Sequence, residues 1–150
     1  MNESKMEDLI EQYANVYLFA TKNIEKVLAE KVFPMSVEQY GILRLLDMNG
    51  PQTAKELAEL TGVHKSAITT KTSRLEEKGL IKRNPDLEDR RHIQITLTEE
   101  GHIVFEQSKQ AMIAFISPFF TRLDSTEVES FLKIYQKINT IIIEEESEEQ

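Results

Sequence analysis

Between His64 and Leu97 the spacing of apolar residues changes from that of a helix to that of a strand, which demands a helix followed directly by a hairpin. Ile68, Thr72 and Leu75 recur every three or four residues and so share one side of a helix. Gly79 is placed to end that helix in the left-handed conformation that glycine adopts without steric cost. Ile93, Ile95 and Leu97 then alternate with Gln94 and Thr96, the period of a half-buried strand. Leu80 to Arg83 supplies a candidate partner strand, and the intervening NPDLEDRR is a polar hairpin tip.

Helices are expected on both sides of this unit. In the first segment Leu9, Ile10, Tyr13, Val16, Tyr17, Ala20, Ile24, Val27 and Leu28 form a stripe about 120° wide at about 100° per residue. Leu18 and Phe19 fall outside it, so this helix has a second apolar face. Pro34 marks a break. Ser36 and Gln39 have the spacing of a capping box and open a second helix carrying Val37, Tyr40, Ile42, Leu43, Leu45 and Leu46. Gly50-Pro51 is a turn. Thr53 and Glu56 form a second such pair, opening a short helix with Leu57, Ala58 and Leu60 that Thr61-Gly62 ends, and His64 begins the next. Thr98 starts a long helix that Pro118 is expected to kink or end. Asp124 and Glu127 are a third capping pair. Val128, Phe131, Leu132, Tyr135, Ile138 and Ile142 line one face of the last helix, with Ile134 and Ile141 widening it. The charged tail EEESEEQ is expected to fray. Helix–turn–helix followed by a two-stranded wing is a winged helix, so the fold class is mainly α with a small α+β winged-helix lobe.

The net charge of −8 over 150 residues looks unfavourable for nucleic-acid binding, but its distribution matters more. Thr53 to His92 holds nine Lys/Arg and seven Asp/Glu, a net +2, and the remainder carries −10. From Gly62 to Arg83 six basic residues face two acidic ones. The basic charge is therefore local, as a single docking face requires.

In a helix–turn–helix the second helix enters the major groove and its N-terminal residues reach base edges. On the helix from His64 to Glu77, Ser66, Thr69, Thr70 and Ser73 lie opposite the packing side. Their small hydroxyl side chains permit close approach and can donate or accept at bases or phosphates. Lys65 and Arg74 flank this face and suit phosphates. Arg90 and Arg91 follow the hairpin tip, where an arginine can reach the minor groove. Asp89 would be misplaced beside phosphates unless it accepts hydrogen bonds from Arg91 and fixes the direction of that guanidinium.

At these residues the chain resembles the MarR family of bacterial transcriptional regulators, over nearly its whole length. The likeness rests on LAELTGVHKSAITTKTSRLEEKGLIKR and NPDLEDRRHIQITLTEEG. Asp89 and Arg91 match the family's D-x-R wing, and Leu97, Thr98 and Gly101 match its L-T-x-x-G ending. The resemblance implies one MarR-like domain, with residues 36–98 as the winged helix–turn–helix lobe and residues 1–35 and 99–150 mainly as dimerisation helices. It implies a homodimer on a near-palindromic operator in double-stranded DNA, with helix 64–77 in the major groove and wing 84–92 in the minor groove. The function expected is repression relieved by a small molecule, often an aromatic anion in this family. Thr70 and Lys71 stand where an arginine and an apolar residue are frequent, so base preference does not transfer.

A site for such a ligand is suggested near Tyr13, Tyr17, Tyr40 and Arg44, where phenols and a guanidinium suit an anionic aromatic. With no cysteine, a thiol switch or Cys-ligated metal is excluded. His64, His92 and His102 form no close ligand pair in sequence, so neither metal nor cofactor is expected. No apolar run approaches the ~20 residues of a membrane span, and the N-terminal MNESKMEDLIEQ is polar and acidic, unlike a secretory signal. A cytoplasmic location is expected. No phosphate loop, nucleophile motif or catalytic carboxylate pair supports an enzyme. The alternative function is a winged-helix protein-interaction module that does not bind DNA sequence-specifically, to which the acidic net charge would be suited.

Overall fold

A computed structural model describes residues 2–31, 34–89 and 91–149. Among the described residues the elements are α1 (Glu3–Lys31), α2 (Val37–Asn49), α3 (Ala54–Thr61), α4 (Lys65–Glu77), β1 (Ile81–Pro85), β2 (Ile93–Leu97), α5 (Glu99–Arg122) and α6 (Ser125–Glu148). They fall into two units, Met1–Met112 and Ile113–Gln150, divided within α5.

In the first unit, α3 and α4 pack on each other and on α2, and the antiparallel β1–β2 hairpin packs against both α2 and α4. Ile42, Leu43 and Leu46 from α2, Leu57 from α3, Ile68 and Leu75 from α4, Leu80, Ile81 and Ile95 from the wing, and Val104 and Phe105 from α5 are all buried in one core. Ile68, Thr72 and Leu75 are thus the inner face of α4, as their spacing predicts. Leu60 is exposed, so α3 holds the core through Leu57, with Ala58 partly buried beside it.

Local chemistry sets the ends of these elements. Ser36 and Gln39 make the full reciprocal capping box on α2, and Asp124 and Glu127 make it on α6. Thr53 and Glu56 make only half of it. Thr53 Oγ1 accepts from Glu56 N at 3.1 Å, but the Glu56 carboxylate takes the Thr53 hydroxyl proton at 3.2 Å instead of reaching the backbone N–H. Gly79, at φ +77°, closes α4: its N–H bonds Glu76 O and the Leu80 N–H reaches back to Leu75 O, a Schellman arrangement. That use of the Leu80 N–H starts β1 at Ile81 rather than Leu80, and pairing continues past Arg83 to Pro85 opposite Ile93. Pro85 lacks a ladder donor, which an edge position tolerates. Gln52, in the turn after α2, adds a bridge to Ile95 through bonds of 3.0 and 2.8 Å.

Thr98 and Gly101 join the wing to α5. Thr98 Oγ1 donates to Gly79 O at 2.5 Å and accepts from Gly101 N at 3.0 Å, tying the end of α4 to the start of α5. A Cβ on Gly101 would fall on the Leu80 carbonyl, so this close approach requires glycine.

In the second unit, α5 does not end at Pro118 but runs to Arg122. Proline removes one helical donor. Two local contacts span the site: Phe115 and Phe119 meet edge to face at 5.1 Å, and Thr121 Oγ1 donates to Pro118 O at 3.2 Å. The acidic run expected to fray stays helical through Glu148, in keeping with the good helix propensity of glutamate. No described residue of α6 is buried, and Phe131, Leu132, Ile134, Ile141, Ile142 and Ile143 are all exposed. On α1, in the first unit, Leu9, Ile10, Tyr13, Val16, Leu18 and Phe19 are likewise exposed. No helix among the described residues is long and apolar enough to cross a membrane.

Candidate nucleic-acid interface

The turn from Gly62 to His64 sets α4 at an angle to α3. Gly62 caps α3 in the left-handed conformation at φ +71°. His64 caps α4 by an uncommon route: its Nδ1 accepts from Ser66 N at 3.2 Å and lies 2.9 Å from Ser66 Oγ.

The outer face of α4 carries the residues proposed from spacing. Lys65, Ser66, Thr69, Thr70 and Arg74 are exposed, and Ser73 is half-buried. The Thr69 and Thr70 hydroxyls donate to Lys65 O and Ser66 O, four residues back, at 3.0 and 3.1 Å. Their oxygen lone pairs therefore point away from the helix as acceptors, and the protons can be redirected at little cost.

The wing tip is ordered by its own carboxylates. Asp86 accepts from Glu88 N at 2.9 Å and from Gln94 Nε2 at 3.2 Å. Asp89 accepts three bonds of 3.0 Å from Arg91, through the backbone N, Nε and Nη2. This is the steering expected from the D-x-R spacing. The Arg91 side chain is otherwise 89% exposed, and two of its five guanidinium N–H groups are used, leaving three to meet an external acceptor. The bonds from Arg91 hold the Asp89 carboxyl below the ordinary aspartate value, and the same pairing raises Arg91. Asp86 is lowered chiefly by the Glu88 backbone bond and by Gln94. Arg90 lies outside the described residues.

Lys65, Thr69 and Arg91 line one open cleft of about 730 Å³, together with Lys55, Arg83 and Asp86. Helix α4 and the wing thus contribute to one concave surface, on which Lys55, Lys65, Arg83 and Arg91 stand among Glu56, Glu59 and Asp86. Arg83 is given no role by the sequence, yet among the described wing residues it makes the most bonds to α4: to Thr69 O, Thr72 Oγ1, Ser73 Oγ and the Glu76 carboxylate. Its partners lie 7 to 14 residues away on another element, a spacing that no sequence period marks.

The proposed ligand residues are not gathered at this cleft. Tyr13 and Tyr17 stack on each other at 6.1 Å on the exposed face of α1, and Tyr40 packs on Phe105 at 5.6 Å. Burial raises the Tyr40 phenol above its usual value, with the Arg44 charge opposing the rise and Glu106 adding to it. His92 Nε2 lies 3.4 Å from Asp89, and His102 Nδ1 lies 3.6 Å from Asp47, so these histidines sit beside different carboxylates.

The fold and this surface define a winged helix–turn–helix protein. Comparison with known proteins agrees. The model of the MarR family matches residues 35–93. The uncharacterized HTH-type transcriptional regulator YdgG of Bacillus subtilis is 31% identical over 138 residues, spanning 90% of this chain and 91% of its own. The HTH-type transcriptional repressor MdtR of Bacillus subtilis is 36% identical over 90 residues, 60% of this chain and 58% of its own. The crystal structure of Streptococcus pneumoniae FabT in complex with DNA superposes with a TM-score of 0.81 over 93% of this chain and 98% of that one; at 18% identity this likeness speaks for the fold. The chain belongs to the MarR family and is a transcriptional regulator.

Proposed function

We propose that this regulator is a homodimeric repressor of a near-palindromic operator, with helix 64–77 in the major groove and wing 84–92 in the adjacent minor groove. Lys65, Ser66, Thr69, Thr70, Ser73 and Arg74 form the major-groove contacts, and Arg90 and Arg91, the latter steered by Asp89, form those of the wing. The observation that carries this reading is the convergence of Lys65, Thr69 and a pre-oriented Arg91 on one cleft. The DNA complex of FabT, a protein of the same fold, and the repressor name of MdtR support it.

Residues 36–98 are the DNA-binding lobe in this reading, and residues 1–35 and 99–150 supply the dimerisation helices. A 24-residue helix without a buried residue, exposing Phe131, Leu132, Ile134, Ile141, Ile142 and Ile143, carries the kind of apolar face that marks an interaction surface. A second copy would cover it and set two recognition helices about 34 Å, one DNA turn, apart. A small aromatic anion near Tyr13, Tyr17, Tyr40 and Arg44 is the proposed releasing signal. Arg44 supplies the cation there, and Glu106 beside Tyr40 limits how much negative charge the site accepts.

Arg91→Ala tests the DNA reading. At fixed ionic strength it should weaken specific binding roughly 5- to 150-fold; an unchanged affinity contradicts the wing assignment. A stable folded monomer in sedimentation at micromolar concentration contradicts the dimer. The alternative, an interaction module that does not read DNA, is favoured if selection from random duplexes enriches no palindrome.

A further inference from the structure

We infer that Arg83 is a positioning residue for sequence discrimination: it locks the recognition helix to the wing instead of contacting phosphate. The inference rests on the reading that α4 enters the major groove.

Arg83 lies in β1 opposite Ile95, and its side chain crosses to α4. Nη2 reaches Thr72 Oγ1 at 2.6 Å, Ser73 Oγ at 3.1 Å and Thr69 O at 3.2 Å, so three acceptors share two hydrogens. Nη1 reaches Glu76 Oε1 at 3.3 Å, while the other carboxylate oxygen accepts the backbone N–H of Arg83 at 3.1 Å. Glu76 therefore grips Arg83 at both its main chain and its guanidinium. A planar fork of fixed donors can satisfy such a set, whereas a lysine ammonium is a point charge that cannot span it.

Two comparisons separate this residue from a phosphate contact. The Arg83 side chain is 24% exposed against 89% for Arg91. Its charge is matched by Glu76 on the helix it holds. Its bonds also reach the reading face itself. Thr69 and Ser73 both belong to the proposed base-facing set. By occupying a lone pair of Ser73 Oγ, Arg83 leaves the hydroxyl proton free to donate, which matches acceptors on DNA such as guanine N7 and O6 or thymine O4. Because β1 belongs to the hairpin that carries Arg91, the same bonds fix the spacing between major-groove and minor-groove contacts. A preorganised pair of contacts discriminates among sequences, and a loosened one keeps only charge attraction.

The test uses the full chain, the duplex most enriched from a random pool and a scrambled duplex of equal length. Arg83→Lys keeps the charge and should lower the ratio of specific to non-specific affinity about tenfold, with the wild-type salt slope retained. Glu76→Gln should free a cation for phosphate, raising affinity for the scrambled duplex and steepening the salt slope by about one while the ratio falls. It also serves if Arg83→Lys folds poorly by circular dichroism. Amide exchange without DNA should quicken across residues 69–76 in either variant. Equal discrimination by wild type and folded variants overturns the inference, as does equal loss on both duplexes. A wild type that enriches no sequence overturns the DNA reading and this inference together; a discriminating wild type with undisturbed variants overturns this inference alone.

Discussion

Replacing Asp89 with alanine asks whether the wing carboxylate acts on DNA binding through Arg91. On the proposed DNA face phosphates would repel Asp89, so a carboxylate there needs a compensating effect. Two side-chain hydrogen bonds and one backbone bond, all 3.0 Å, hold the Arg91 guanidinium in one direction. Releasing them frees one or two staggered torsions, each with about three wells. The fraction of chains with the arginine correctly aimed falls roughly 3- to 9-fold by that count. Loss of the negative charge returns part of this, because an exposed charge is weakly coupled through solvent. Asp89→Ala should thus weaken operator binding about 3- to 5-fold. In an Arg91→Ala background the same change should be neutral or slightly favourable, since no guanidinium remains to steer. The assay is a double-mutant cycle by fluorescence anisotropy at fixed ionic strength. Additive effects, with Asp89→Ala costing the same in both backgrounds, would refute the steering argument.

Other consequences are equally direct. Gly101→Ala should destabilise the chain by roughly 1–3 kcal/mol or more, because the added methyl meets the Leu80 backbone and not a side chain that can turn aside; thermal unfolding reads it, and an unchanged midpoint contradicts the close packing. His64→Ala should cost about 1 kcal/mol of stability through loss of the α4 cap, and His64→Ser should restore it, since serine is a preferred cap. The Asp89 carboxyl is depressed when folded, so its hold on Arg91 is complete above the ordinary aspartate value near 3.9 and fades as pH falls through the lower folded value. The Arg91 Nε resonance should accordingly lose its Asp89-bonded position in Asp89→Ala; a resonance left unmoved by that substitution would contradict the assignment to Asp89.

Much of the site was readable because its signals are local. Capping pairs three residues apart, the period change between α4 and β2, and the two-residue spacing of Asp89 and Arg91 all express contacts within one turn or one hairpin. The arrangements that escaped reading depend on other elements. Arg83 finds Glu76 and Thr72 only after β1 lies beside α4. Gln52 finds Ile95 only after the wing packs on the turn after α2. The Thr53–Glu56 pair had the right spacing, yet the hydroxyl proton competed with the backbone N–H for the same carboxylate. At Pro118 the rule that proline breaks helices met an aromatic pair straddling the site. The apolar faces of α1 and α6 were legible as patterns, but which surface covers them is not written in a single chain.

Selection of duplexes from a random pool by the wild-type chain tests the central claim most directly. A homodimer that reads DNA through α4 and the wing should enrich an inverted repeat whose half-sites lie about 10 base pairs apart, centre to centre, with binding that weakens steeply as salt rises. Recovery of no preferred sequence, or of a single unrepeated half-site, would contradict it.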